Sequence, residues 1–141
     1  MASGPAVLRI RTREMQIMLD HVRSLQAEEV CGLLGGDGQE VRMAIPVENI
    51  AHSPTRFRME PRGQLHAMQA IEDAGLELVG IFHSHPVGPS GLSSQDLREA
   101  AFLEAAYLIW SPGEHGWICH AFRLDESGPR SIAIIDPVEE A

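Results

Sequence analysis

The sequence predicts a mixed α/β domain in which strands outnumber helices, and three observations carry that expectation. Residues 76–83 form a run that is nearly all apolar in its later part, as in a strand covered on both faces. Apolar positions Met15, Met18, Val22 and Leu25 recur at helical spacing. Three further strand-like stretches, 107–110, 116–123 and 131–135, follow towards the C-terminus. A mixed central β-sheet flanked by helices accommodates all of them.

In order, residues 1–5 are small and polar and are expected to be disordered, and residues 6–141 to form a single domain. Residues 7–10 read as a short strand. The helix that follows has Thr12 as its N-cap. After Glu28 and Glu29, the run VCGLLGG ends in glycines and reads as a strand and turn, hairpinned to a strand over 41–47, with Glu29 at the start of the first. A polar loop over 48–56 precedes a short strand at 57–59. A second helix opens at Glu60-Pro61, with proline in its first turn, and shows a face of Leu65, Met68 and Ile71 ending at Gly75. A third helix begins at Ser93 or Ser94 and carries Leu97, Ala101 and Leu103. Ser111-Pro112-Gly113 reads as the turn between the next two strands.

Net charge is −9, which argues against nucleic acid or an anionic membrane as the main partner, although Arg56, Arg58 and Arg62 lie close together. No apolar run approaches the ~20 residues of a membrane helix. Cys31 and Cys119 are the only cysteines, too few for a disulfide framework. Free thiols without a signal peptide point to the cytoplasm.

The chemistry concentrates in residues 79–96, VGIFHSHPVGPSGLSSQD. In a strand, residues two apart point to the same side about 6.5–7 Å apart, so His83 and His85 reach one ion while Ser84 faces away. Pro86, Gly88, Pro89 and Gly91 end the strand and turn the chain, delivering Ser93 and Asp96 to whatever the histidines hold. Two imidazoles and a carboxylate are a common catalytic zinc set with a fourth position open to water. Ser93 to Asp96 also has the spacing of a capping box, its ordinary meaning when it stands alone. The two histidines weigh towards metal, because four ring nitrogens at the end of an apolar strand need partners.

The spacing His83-x-His85, seven residues, Ser93, two residues, Asp96 resembles the signature of the JAMM (MPN-plus) zinc metalloproteases, and the segment Glu29-Val30-Cys31-Gly32-Leu33-Leu34 resembles their upstream glutamate motif. Asn49 and the Glu60-Pro61 pair add support. The resemblance implies a single JAMM/MPN-like domain of the compact prokaryotic type. It also implies one zinc ion held by His83, His85 and Asp96, with Glu29 as general base and Ser93 as hydrogen-bond donor to the oxyanion. The implied reaction is cleavage of an amide or isopeptide bond after the C-terminal glycine tail of a ubiquitin-like or sulfur-carrier protein, with the tail added as a strand beside the site.

Glu28 is the rival base, since one step along a strand flips the side chain to the other face; the Glu-x-Cys-Gly match favours Glu29. Cys31 shares a face with Glu29 and is an alternative ligand, though a free cysteine usually packs as a small hydrophobe. Cys119 beside His120 allows a thiol nucleophile, against which its alternating strand context speaks. His21, His52, His66 and His115 read as ordinary polar residues, and Trp110 and Trp117 as core or groove walls. Other functions remain: a non-catalytic MPN-like scaffold, disfavoured because all five motif residues are present, and a cupin-like metal enzyme, disfavoured because residues 87–92 lack a glutamate. A zinc deaminase would need His-x-Glu and Pro-Cys-x-x-Cys motifs, which do not occur.

Overall fold

A computed structural model describes residues 7–100 and 104–140. The disorder expected for residues 1–5 lies outside the described residues, as do Ala101 and Leu103 of the third helix. Chain order is β1 (Val7–Ile10), α1 (Thr12–Ser24), β2 (Cys31–Asp37), β3 (Glu40–Val47), α2 (Pro61–Asp73), β4 (Glu77–Ser84), α3 (Ser94–Glu99), β5 (Ala106–Gly113), β6 (Gly116–Asp125), β7 (Gly128–Ile135) and a 3-10 turn, Pro137–Glu140.

The sheet is mixed, as expected, and it also closes on itself, in the order β1-β3-β2-β4-β5-β6-β7. β1 runs parallel to both β3 and β7, β4 runs parallel to β5, and the remaining pairs are antiparallel. Closure is thin at β1–β3, where only Arg9↔Glu40 and Ile10↔Val41 pair. A parallel β4–β5 pair needs a crossover rather than a tight turn, and that crossover carries the motif residues beyond His85. One core cluster joins α1 to the sheet through Leu8, Met18, Val22, Phe82 and Leu108. The other packs α2 on the sheet through Leu33, Ala67, Ile71, Ile81 and Tyr107. Gly32 leaves room for its neighbours in the sheet: a Cβ there would lie 2.3 Å from the Phe82 ring on β4 and 2.4 Å from the Ile45 carbonyl oxygen on β3.

Several local readings need correction. The buried stripe of α1 is Glu14, Met18 and Val22, whereas Leu25 is a half-exposed C-cap. A charged residue enters the stripe because the Glu14 carboxylate is paired by Arg11 Nε at 2.6 Å. Arg11 rather than Thr12 is the N-cap position, and Thr12 Oγ1 donates to Asp136 instead. In α2, Ala67 and Ile71 are buried and Leu65 is exposed, while Glu60 caps the first turn. α3 buries no residue, and Leu97 is exposed. The 57–59 strand shrinks to a single bridge, Asn49↔Met59. Ser111, Pro112 and Gly113 continue β5, and the turn falls at Glu114 and His115. Proline is tolerated in β5 because β4 has ended at the level of Trp110, so the Pro112 nitrogen has no carbonyl to meet on that side. Among the described residues no helix is long and apolar enough to cross a membrane.

Candidate metal centre

β4 lies between β2 and β5, with His83 opposite Cys31 on one side and Ile109 on the other. Ser84 faces the other way and is buried, its Oγ accepting from Val30 N–H at 2.8 Å. His85 stands just past the strand and is anchored by its N–H to the Trp110 carbonyl at 2.7 Å. Both imidazoles are buried and their Nε2 atoms are 3.1 Å apart. The turn after them bends back so that the Pro89 carbonyl accepts from His85 Nδ1 at 2.7 Å. A carbonyl can only accept, so Nδ1 carries the proton and Nε2 presents a lone pair to the centre.

Asp96 arrives from the first turn of α3. Its backbone N–H donates to Ser93 Oγ at 3.0 Å and its Oδ2 accepts from Ser93 N–H at 2.8 Å, a complete capping box. The same carboxylate places Oδ1 3.2 Å from His83 Nε2 and Oδ2 3.0 Å from His85 Nε2. The cap and the centre are therefore one arrangement, and Ser93 acts on the site at least by aiming Asp96.

These separations test the fit of a metal. A tetrahedral ion with bonds of ~2.0–2.1 Å has ligand–ligand edges of about 3.3 Å, and the three contacts here are 3.0, 3.1 and 3.2 Å. Without a cation, the lone pair of His85 would face the Asp96 carboxylate directly. Either a proton or a metal ion relieves that opposition. Burial works to lower the His85 pKa, but Asp96, the Pro89 carbonyl and Glu29 outweigh it and the net shift is upward. Buried His83 is shifted downward, chiefly by loss of water, and its Nδ1 has no hydrogen-bond partner among the described residues.

Glu29 is buried and places Oε2 4.0 Å from His85 Nε2, with its Oε1 unpartnered among the described residues. Donor atoms of Glu29, His83 and His85 all lie within 4.8 Å of one another, so this buried triad is compatible with a metal site. Two carboxylates thus compete for the third ligand position. Asp96 matches the tetrahedral edge, while Glu29 stands most of an ångström farther out. Their proton affinities diverge as well. Burial, with smaller pushes from Asp96 and Glu99 against the pull of His85, raises Glu29 to about 8. For Asp96 burial also works upward, but hydrogen bonds with His83 and His85 hold it well below the usual carboxylate range. Environments that drive two carboxylates apart assign them different roles.

Glu29 lies two residues before β2 and outside the sheet ladder, not at the start of the strand where the sequence reading put it. Glu28 turns away, its Oε2 lying 3.4 Å from His52 Nδ1. Cys31 Sγ bonds the Val47 carbonyl at 3.4 Å and burial pushes its thiol up to about 12, which makes it core rather than ligand. Burial likewise raises Cys119 far from a reactive thiolate, and His120 is exposed. His21 is half-buried edge-on to Phe82.

Residues 12–125 match the family of prokaryotic homologues of the JAB domain. The chain belongs to this family. Among curated relatives, the desampylase of Haloferax volcanii is 36% identical over 124 residues, spanning 83% of this chain and 88% of the relative. The CysO-cysteine peptidase of Mycobacterium tuberculosis is 35% identical over 107 residues, 74% of this chain and 73% of the relative. A probable TtuB-protein conjugate cleaving protease of Thermus thermophilus is 34% identical, covering 82% and 74%. The solution structure of a Desulfitobacterium hafniense protein superposes with a TM-score of 0.81 at 35% identity over 91% of each chain.

Two features of this JAB domain were missed as parts of the site by the sequence reading. Phe57 lays its ring on His83, with centroids 4.5 Å apart and planes tilted by 32°. Beside it a pocket of about 180 Å³ reaches His83 and Asp96 between walls of Phe57, Met59, Ile81 and Tyr107. A lone phenylalanine in a loop carries no motif signal. Asn49, noted as a loop residue and as support for the family resemblance but given no role at the site, donates its amide nitrogen to the Glu29 and Arg56 carbonyls and accepts on its oxygen from Ala51 and Arg58 N–H.

Proposed function

We propose that this chain is a zinc-dependent isopeptidase or peptidase, cleaving the amide bond that follows the C-terminal glycine tail of a ubiquitin-like or sulfur-carrier protein. The observation that carries the reading is the pair of carboxylates around two facing imidazoles, one at ligand distance and one at 4.0 Å with its pKa raised to about 8. The names of the relatives, a desampylase and a CysO-cysteine peptidase among them, supply the substrate class. Two unpaired cysteines accord with a cytoplasmic location.

His83 Nε2, His85 Nε2 and Asp96 would hold the ion. When bound, zinc supplies a water acidified to a pKa of about 7 and polarises the scissile carbonyl. Glu29 takes the proton of that water on its carboxylate and returns it to the departing amine; at 4.0 Å from His85 Nε2 it stands outside the ligand set, and a bound dication would favour the ionised carboxylate that accepts the proton. Ser93 keeps its hydroxyl hydrogen free while its oxygen accepts from Asp96 N–H, so the same side chain donates to the carbonyl oxygen as charge develops there. Phe57 excludes water from one face of His83. β4 is bonded on both sides, by β2 and β5, so a substrate tail has no sheet edge beside His83 and lies instead across the strand ends, along residues 57–59.

Metal analysis and a cleavage assay test the proposal together. The purified, zinc-repleted chain should hold about one zinc per molecule and release the extension from a ubiquitin-like protein carrying residues beyond its glycine tail, read by intact mass. Zinc well below one equivalent, with no cleavage, would leave a scaffold function instead.

A further inference from the structure

We infer that Asn49 is a positioning residue for the general base, holding Glu29 through a loop that acts as a strap; this rests on the assignment of Glu29 as that base. The strap comprises residues 49–59. Its ends are joined by the Asn49↔Met59 bridge and by Glu60 N–H to Glu48 O at 2.9 Å. Glu29 has no ladder partner, and both of its backbone groups are taken by the strap. Its N–H donates to the Ser53 carbonyl at 2.8 Å, and its carbonyl accepts from Asn49 Nδ2 at 2.8 Å.

Asn49 is buried at 7% exposure and divides its amide by function. The oxygen accepts from Ala51 N–H and Arg58 N–H, both at 2.9 Å, which folds the strap. The nitrogen donates to Arg56 O at 3.1 Å and to Glu29 O, which joins the strap to the base. His52, at φ 46° in the left-handed region, turns the chain immediately before Ser53. The strap meets the metal ligand differently, through the apolar Phe57–His83 ring contact. Base and ligand thus share one support but different bonds, and a change confined to the Asn49 nitrogen separates them.

Asn49→Asp makes that change, keeping an acceptor for Ala51 and Arg58 while removing the donor to Glu29 and to Arg56. Kinetics of extended-tail cleavage should show kcat lower by about 10–100-fold, the usual cost of losing an orienting partner, with KM and zinc content unchanged within about twofold. The diagnostic is the double variant. In a Glu29→Gln background the same substitution should cost nothing further, because its effect passes through Glu29. An equal loss in both backgrounds, or no loss in either, overturns the inference. Should Glu29→Gln itself cleave at the unmodified rate, the base assignment fails instead. If Asn49→Asp does not fold, hydrogen exchange of the unmodified chain decides. The Glu29 amide should open together with those of Ala51 and Arg58 and before those of β4; exchange at the β4 rate would overturn the inference.

Discussion

Two supports meet at this centre and they are built differently. His83 sits in the middle of a sheet, its strand bonded to β2 and β5, and His85 hangs one residue beyond, on the Trp110 carbonyl. Glu29 sits outside the ladder, held by a loop carbonyl and an asparagine amide. The two histidines proposed as ligands stand on, or one residue past, a strand bonded on both sides, whereas Asp96 comes from the short α3 and Glu29, the proposed proton shuttle, hangs on loop bonds. The proposal therefore makes metal binding and proton transfer separable by mutation.

The largest effects come from the ladder side. His83→Ala or His85→Ala removes one ligand of three and leaves the opposing polar groups buried, so zinc content should fall towards zero and cleavage with it. Asp96→Ala should do the same and also loosen α3, since its capping box is lost. Glu29→Gln is next and sharpens the contrast. It should retain about one zinc and lose ~10²–10⁴-fold in kcat, the range for a general base. Loss of zinc from Glu29→Gln would make Glu29 a ligand and dissolve the distinction.

The sequence made the ladder side legible and left the other side largely obscure, for a physical reason. Period-2 alternation places His83 and His85 on one face, and Pro86 with the glycines announces the turn, so spacing alone maps onto geometry there. The capping-box reading of Ser93 and Asp96 does not compete with a place beside the histidines, since the carboxylate that completes the cap also lies 3.0 Å from His85 Nε2. Closure of the sheet was not readable, because it rests on two residue pairs at β1 and β3. Nor was the buried Glu14, whose partner is set by a side-chain rotamer and not by a pattern. The hold of Asn49 on Glu29 spans 20 positions and depends on loop backbone, which carries no periodicity.

Ser93→Ala comes next in size, and its two roles separate by readout. Loss of the cap should destabilise by about 1 kcal/mol and leave zinc bound, since the Ser93 backbone N–H still orients Asp96. Loss of the hydroxyl donor should lower kcat by ~10²-fold or more. Ser93→Gly, which costs only a few tenths of a kcal/mol as a cap, should show the same kcat with a smaller stability change. Equal activity of Ser93→Ala and the unmodified chain would leave the serine a cap alone.

The smallest effect is the pH dependence of the metal-free protein, and it divides the same two supports. Glu29 has its pKa raised to about 8 in the fold, against an ordinary carboxylate value near ~4.3 unfolded. The folded state then binds the extra proton over that window, so stability is full below ~4.3 and is lost as pH rises towards 8. Asp96 is shifted the other way: its contribution is present above the unfolded value of ~3.9 and is lost as pH falls below it. Melting of the chelated protein between pH 5.5 and 8.5, values of roughly that span being set by the Glu29 window, should therefore show a declining Tm. Glu29→Gln should flatten the decline by a few degrees, because ~1 kcal/mol moves the Tm of a domain this size by about 4 °C. Zinc should mask the trend in the unmodified chain, since a nearby dication favours the carboxylate and lowers its pKa. A decline of the same slope in Glu29→Gln would place the titrating group elsewhere and remove the proton-affinity half of the contrast between Glu29 and Asp96.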